Sequence, residues 1–337
     1  MLAEKKNISR RLLILLILLL MCVSGFIISL KLGSLNLSIG QIYAALFKIA
    51  RGPHYQIIFN IRLPRILVGA CVGICLSLSG CLLQGIMRNP LAAPHLIGVS
   101  SGAGLAGVVI LILYPGIYYL LPPVAFTGAL VTTMLVYMIA WQEGINPSRL
   151  ILAGVAVSSF LGAMITGVMI FFPDRVHSVI GFMVGGLAAR TWKHLNIILP
   201  YTLIGFFLVN LTARRLNILL LGDETASSLG VHVERTRLFF IALSALLAGS
   251  AVSVVGLLGF VGLIVPHITR LIIGSDYRFL LPASALMGAS LVMVCDTISR
   301  IALDPVEVPV GIIMALLGAP FFLYLLRNRM KVYDTES

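Results

Sequence analysis

The sequence predicts an all-α integral membrane protein with about ten transmembrane helices. Of its 337 residues, 59% are hydrophobic and only 11% are charged, whereas charged residues make up about 25% of a typical soluble domain. The mean hydropathy is +1.07. Apolar runs of spanning length recur along the chain with short polar connections between them. These three observations exclude a water-soluble fold.

Ten apolar segments between polar breaks are predicted as the spans. Because about 20 residues cross the hydrocarbon core of a bilayer, they leave no room for a separate soluble domain. We therefore expect one transmembrane domain over residues 1–337. The segments are Arg11 to Leu32, Leu63 to Ile86, Leu96 to Leu113, Tyr119 to Trp141, Leu150 to Phe172, Leu195 to Ala213, Leu238 to Leu258, Phe260 to Ile273, Leu280 to Ile301 and Val308 to Leu326.

The apolar run of the first segment follows four basic residues, Lys5, Lys6, Arg10 and Arg11, as the core of a signal peptide does. This run, from Leu12 to Leu30, is longer than the roughly 7 to 15 residues of such a core, and no small-residue cleavage site follows. We predict an uncleaved first span.

The second and third segments are rich in glycine, alanine and serine, including a G-x-x-x-G pair at Gly69 and Gly73. Small side chains let helix backbones approach closely, so both segments are predicted to lie centrally in the bundle. A pore-lining role is the alternative.

The eighth and ninth segments carry the polar residues most unusual for a span. Phe260 to Ile273 is short and contains Pro266, so we expect a tilted, broken or buried helix. In the ninth segment, Asp296 and Arg300 are four residues apart and are predicted to form an ion pair.

The distribution of Lys and Arg predicts that both termini lie in the cytoplasm. With this orientation, 15 of the 24 cations fall on the cytoplasmic side, in agreement with the positive-inside rule. The cations are scattered among apolar runs rather than clustered in a stripe, so the net charge of +12 does not indicate a nucleic-acid partner. The five cysteines lie inside apolar segments without CxxC pairs, and no metal site is predicted.

The longest predicted cytoplasmic connection, residues 214–237, has the pattern of a short capped helix. Asp223 or Thr225 could cap its start, and Gly230 could close it in a left-handed conformation. Such a rigid element suits docking of a partner, although a plain surface connector is the alternative.

Two further connections are candidate functional elements. Arg62, Arg65 and Arg300 lie at the predicted outer ends of their spans, where they could pair with carboxylates of a soluble partner or anchor lipid headgroups. The link Arg88 to Pro94 contains two prolines and could form a stiff inner gate, with a tight loop as the alternative.

The chain contains no G-x-x-x-x-G-K-[ST] motif, so an ATP-driven design would need a second polypeptide. A secondary transporter driven by protons or sodium would need buried ionisable residues, for which the candidates are Asp296, His267 and Arg270. An intramembrane enzyme would need a nucleophile with a base or a set of metal ligands, and no such motif is present.

Four stretches resemble the FecCD family of permeases over nearly the whole chain after about residue 35. They are RLPRILVGACVGICLSLSGCLLQGIMRNPLAAPHLIGVSSGAG, LGDETASSLGVHVERTR, GFVGLIVPHITRL and VEVPVGIIMALLGAPFFLYLL. The family comprises membrane subunits of type II ABC importers for ferric siderophores, haem and cobalamin.

The resemblance implies a homodimer of ten-span subunits in the inner membrane of a bacterium or archaeon, with the bundle of a cobalamin permease. It also implies two cytoplasmic ATPase subunits that hold ATP and Mg, an extracytoplasmic binding protein, a metal-chelate substrate, and neither a cofactor nor catalysis in this chain. By position in the family motifs, the docking residues for the binding protein are Arg62, Arg65 and Arg300. Those coupling to the ATPase are Asp223, Glu224, Thr225, Ala226, Ser228, Leu229 and Gly230. Those of the inner gate are Asn89, Leu91, Asn146 and Ser148.

Overall fold

The computed structural model describes residues 2–33, 35, 37–46, 52–142 and 147–334, and their regular secondary structure is helical. A π-helical turn at Ile57–Arg62 leads directly into α4. The α-helices are α1 (Leu2–Lys31), α2 (Ile39–Leu46), α3 (Pro53–Gln56), α4 (Leu63–Ile86), α5 (Val99–Leu113), α6 (Leu121–Ala140), α7 (Pro147–Phe171), α8 (Val176–Val184), α9 (Trp192–Leu211), α10 (Ala213–Leu219), α11 (Asp223–Ser228), α12 (Val233–Val255), α13 (Val261–Ile273), α14 (Tyr277–Ile301) and α15 (Val310–Asp334).

Each of the ten predicted segments overlaps an apolar helix. In the described part of the chain, seven helical stretches are long and apolar enough to span a membrane: Ile8–Lys31, His54–Ile86, Pro115–Ala140, Pro147–Phe171, Trp192–Leu211, Val233–Val255 and Tyr277–Ile301. Shorter apolar helices occupy the other three predicted positions, at Val99–Leu113, Val261–Ile273 and Val310–Leu323. The all-α membrane architecture is thus confirmed, while the number of ten spans and the orientation stay predictions.

Helix α4 lies at the centre of the bundle, in contact with α9, α12, α13 and α14. A methyl group at Gly73 would overlap the backbone of Gly288 in α14, and one at Gly80 would overlap the backbone of Gly262 in α13. Helix backbones therefore touch directly at both points, as the small residues of the second predicted span indicated. The other glycine of the pair, Gly69, contacts the side chains of Leu187 and Val292 instead.

Several helices end inside the bundle, and their irregular ends are joined by backbone hydrogen bonds. The Gly186 amide donates to the Val255 carbonyl at 2.8 Å, and the Leu257 amide donates to the Phe182 carbonyl at 2.9 Å. These bonds connect the end of α8 with the end of α12. Such pairing is needed because unsatisfied backbone groups are costly at membrane depth, where irregular backbone occurs only inside protein or beside a water-filled cavity.

Helix α13, the eighth predicted span, begins after Phe260 in a left-handed conformation, with φ of 66°, and continues through Pro266 without a break. Its first half is buried. Of the three expectations for this short segment, burial among other helices is the one that the structure bears out.

Asp276 ties together the end of the bundle that is predicted to be cytoplasmic. It accepts hydrogen bonds from Arg278 at 2.7 Å and from the Asn217 side-chain amide at 2.8 Å, and it pairs with Arg11 of α1 at 3.2 Å. The hydrogen bonds from Arg278, followed by that from Asn217, lower the pKa of Asp276 to about 2 despite partial desolvation. One carboxylate thus links α1, α10 and α14.

Candidate functional sites at the two ends of the bundle

The predicted outer end contains a cluster of arginines and carboxylates, centred on Arg65 at the start of α4. Its Nε and Nη2 atoms donate to Asp296 of α14 at 2.9 to 3.1 Å, and its Nη1 donates to Glu307 at 2.8 Å. Asp296 also pairs with Arg300 at 3.3 Å, which confirms the predicted ion pair within α14. The pairing of Asp296 with Arg65 joins two central helices.

Arg62 and Arg300 are held mainly by backbone carbonyls. Arg62 donates to the Leu30 carbonyl at 2.7 Å, and Arg300 donates to the Ser29 carbonyl at 3.1 Å. Both therefore cap the irregular end of α1, since carbonyls in the last turn of a helix lack partners within it.

The three arginines predicted to dock a binding protein are thus not free donors at a rim. Arg62, Arg65 and Arg300 are 4%, 6% and 6% exposed. Their guanidinium groups bind carboxylates and carbonyls of this chain, and apart from the pair of Arg300 with Asp296 the partners named above lie 32 or more residues away in the sequence. The expectation of exposed arginines is corrected, whereas the role of the three residues in docking stays a prediction.

The segment predicted to couple to an ATPase contains the short helix α11, from Asp223 to Ser228. Gly230 has a φ of 79°, which confirms the predicted left-handed closure. Gly222 occupies the cap position, and neither Asp223 nor Thr225 caps the helix with its side chain, which corrects that expectation. Ala226 is the buried residue of α11. The other residues predicted for coupling are exposed, including Glu224, Ser228 and Leu229.

The Asp223 carboxylate instead forms ion pairs with two arginines. Arg88, in the turn after α4, forms an ion pair with it, and Arg237 of α12 pairs with it at 2.9 Å. Arg88 also donates from Nε to the Leu219 carbonyl at the end of α10, at 3.1 Å. This cluster connects α11 with the link between α4 and α5. The sequence analysis did not predict this cluster, because no local pattern indicates a contact between two residues that are 135 positions apart.

The four residues predicted for the inner gate are only partly described by the structure. Asn89 stabilises its own turn, since its Oδ1 accepts a hydrogen bond from the Leu91 amide at 2.9 Å. Leu91 is half-buried, and Ser148 is exposed in the first turn of α7. Asn146 lies outside the described residues. Their convergence into a gate therefore stays a prediction.

No group of three or more metal-ligating side chains occurs within the described ranges. The clusters at both ends consist of guanidinium and carboxylate groups, and all of them are engaged in pairs or backbone hydrogen bonds that join helices. This arrangement links helices to one another and places charged side chains at both ends of the bundle.

Comparison with known proteins identifies the family. The model of the FecCD transport family matches residues 16–328. The chain belongs to this family. Membership makes it a multi-pass transport permease subunit and implies an ATPase and a substrate-binding protein as partners.

Similar proteins span almost the full length of this one. The Fe(3+)-citrate import system permease protein YfmE of Bacillus subtilis is 39% identical over 94% of this chain and 96% of its own. The hemin transport system permease protein HmuU of Yersinia pestis is 41% identical over 94% of this chain and 95% of its own. A cobalamin import permease of Halobacterium salinarum is also a relative.

A solved structure supports the fold. The inward-facing conformation of a metal-chelate type ABC transporter has a TM-score of 0.83 and 33% sequence identity, and the match covers 94% of this chain and 99% of that one. The helical architecture is therefore that of this class of transporter along nearly the entire chain.

Proposed function

We propose that this chain is the membrane-spanning permease subunit of an ABC importer for a bulky metal chelate, a ferric siderophore or haem. An extracytoplasmic binding protein delivers the chelate. The observation that carries the proposal is full-length similarity to permeases named for Fe(3+)-citrate and hemin import. A cobalamin-type corrinoid is the alternative cargo, and the presence of a cobalamin permease among the relatives supports it to a lesser degree.

In the proposed assembly, two copies of this chain form a homodimer in the inner membrane of a bacterium or archaeon. Each copy has ten spans, with both termini in the cytoplasm. Two ATPase subunits bind ATP and Mg and supply the energy, whereas this chain performs no catalysis. The exposed side of α11, with Leu229 and Gly230, docks on the ATPase, and the turn at Asn89 and Leu91, with Asn146 and Ser148, narrows the inner gate.

Transport proceeds by alternating access. The loaded binding protein docks at the predicted outer end, the chelate enters the pathway, and ATP-driven closure of the ATPases displaces α11. The ion pair between Arg88 and Asp223 supports a direct mechanical link from α11 to the gate turn, because Arg88 immediately precedes Asn89. At the outer end, a carboxylate of the binding protein reaches Arg65 by replacing Glu307, whose side chain is 45% exposed.

Uptake of radiolabelled chelates tests the proposal. Cells lacking this gene are compared with cells that have regained it, each with and without the partner ATPase, using a ferric siderophore, haem and cobalamin. We expect restored uptake of one ferric chelate or haem only when the ATPase is present. Uptake that returns without the ATPase would instead identify an ion-driven carrier, and restoration of cobalamin alone would select the alternative cargo.

A further inference from the structure

A cavity of about 170 Å³ lies at the predicted outer end, beside the ion cluster of Arg65. Its walls include Arg65, Arg190 and Glu307, together with residues of the connections around Gly186 and Val308. Neither of these connections is a regular helix. The cavity is thus a recess with mainly apolar walls and three charged side chains, at the place where α8 ends and where the chain approaches α15.

Arg190 is the residue of this cavity whose hydrogen bonding is incomplete. Its Nε atom is buried and has no hydrogen-bond partner, and its Nη1 lies 3.4 Å from the His194 ring, at the limit of a hydrogen bond. No carboxylate of the described chain is within ion-pair distance of it. Burial, and to a smaller degree the charge of Arg65, lowers the pKa of Arg190. A buried donor without an acceptor is costly.

The cavity therefore has an unmatched positive charge. Two guanidinium groups line it, but the carboxylate of Glu307 is already paired with Arg65 at 2.8 Å. A ligand that satisfies Arg190 must offer an acceptor for the Nε hydrogen and a negative charge. A carboxylate meets both requirements, because it matches the planar guanidinium in a bidentate pair.

The size and position of the cavity indicate what carries this carboxylate. A volume of about 170 Å³ is below the roughly 300 to 1,000 Å³ of pockets that enclose a whole drug-sized ligand. That admits one arm of a molecule but not a complete metal chelate. The neighbouring helix ends, joined by the bonds of Gly186 to Val255 and of Leu257 to Phe182, form irregular backbone inside the bundle. Irregular backbone at membrane depth occurs where it is buried in protein or lines a water-filled cavity.

We propose that Arg190 binds a free carboxylate of the transported metal chelate at the outer mouth of the pathway. The inference rests on the proposed function and narrows its substrate class to chelates with uncoordinated carboxylates, such as iron(III) citrate or haem, in preference to neutral hydroxamates. Arg190 selects the ligand together with the charge of Arg65, whose buried partner Asp296 remains in place.

The test uses the complete transporter, with its ATPase and binding protein, reconstituted in liposomes. Initial uptake of iron(III) citrate, haem and the hydroxamate ferrichrome is measured at limiting loaded binding protein. Capture of the unloaded binding protein is measured separately. Arg190→Gln removes the charge, Arg190→Lys retains the charge without the planar fork, and Lys193→Gln removes an exposed cation three residues away as the matched control.

We expect Arg190→Gln to lower uptake of a carboxylate-bearing chelate by about tenfold or more, as loss of a charged hydrogen bond does. Arg190→Lys should lie between Arg190→Gln and wild type, and capture of the binding protein and the Lys193→Gln control should match wild type. Unchanged uptake in Arg190→Gln overturns the proposal, as does a wild-type transporter that moves only ferrichrome. Weakened capture of the unloaded binding protein would place the carboxylate on that protein and also overturn it. A wild-type transporter that moves none of these three chelates overturns the proposal, and one that moves no metal chelate at all, cobalamin included, contradicts the proposed function itself.

Discussion

The two carboxylates paired with Arg65 differ in burial, and this difference predicts different consequences of neutralising them. The Asp296 side chain is 2% exposed, whereas the Glu307 side chain is 45% exposed. Asp296→Asn leaves Arg65 and Arg300 buried without their shared counter-charge, and loss of one member of a buried ion pair costs about 3 to 5 kcal/mol. Glu307→Gln removes the partner that solvent screens, and Asp296 remains on Arg65, so the cost should approach the roughly 0 to 1 kcal/mol of surface ion pairs.

The buried cysteines of the chain provide the assay. Cys71, Cys75, Cys81 and Cys295 are buried in the native bundle, so a thiol-reactive fluorescent dye reports their exposure as the purified permease is heated. We expect the midpoint for Asp296→Asn to fall by several degrees relative to wild type. The midpoint for Glu307→Gln, the matched control on the same arginine, should stay close to that of wild type.

Two outcomes would refute this reasoning. A midpoint for Asp296→Asn equal to that of wild type would show that the pair does not hold α4 against α14. Equal losses for Asp296→Asn and Glu307→Gln would show that burial does not decide the strength of the pairs around Arg65. The experiment also bears on docking, because an arginine that is released cheaply from Glu307 remains able to accept an incoming carboxylate.

Two further predictions concern the other end of the bundle. Arg88→Gln removes the ion pair to Asp223, so we expect ATP hydrolysis by the reconstituted transporter to continue while chelate uptake per ATP falls. The exposed Arg214→Gln is the control, and an unchanged ratio in Arg88→Gln would contradict the link. Asp276, whose pKa is lowered to about 2, should add about 2 kcal/mol of stability at neutral pH. Because the carboxyl titrates higher in the unfolded chain, this stability is lost between about pH 4 and pH 2. Asp276→Asn should make the midpoint of thermal unfolding depend less on pH over that range. A pH dependence equal to that of wild type would contradict this role of Asp276.

The helices could be predicted because apolar length is a local property of the sequence. The overlap of all ten predicted segments with apolar helices follows from the spacing of polar breaks alone. The close contact of Gly73 with α14 was likewise indicated by small residues, although its partner Gly288 could not be named. Which helix a glycine faces depends on the arrangement of the whole bundle.

The candidate sites were less predictable because charged groups choose partners across long sequence separations. The pair of Asp296 with Arg300 was found because four residues bring two side chains onto one helix face. The stronger pairing with Arg65 spans 231 residues and was not found. For the same reason, Asp223 was predicted as a local helix cap, whereas two distant arginines occupy its carboxylate.

Helix α4 connects the two ends at which these charges cluster. With 24 residues and a rise of about 1.5 Å per residue, it extends about 36 Å. Arg65 lies at its start and Arg88 in the turn that follows it. Between them, Gly73 and Gly80 bring the α4 backbone against α14 and α13. Contacts of this kind leave little room for bending, because packed backbones are much less adaptable than flexible side chains. A displacement of α11 that is transmitted through Arg88 would therefore move α4 as a rod. This movement of α4 would reach the ion cluster of Arg65 and the cavity of Arg190 without successive rearrangements of the side chains along the helix.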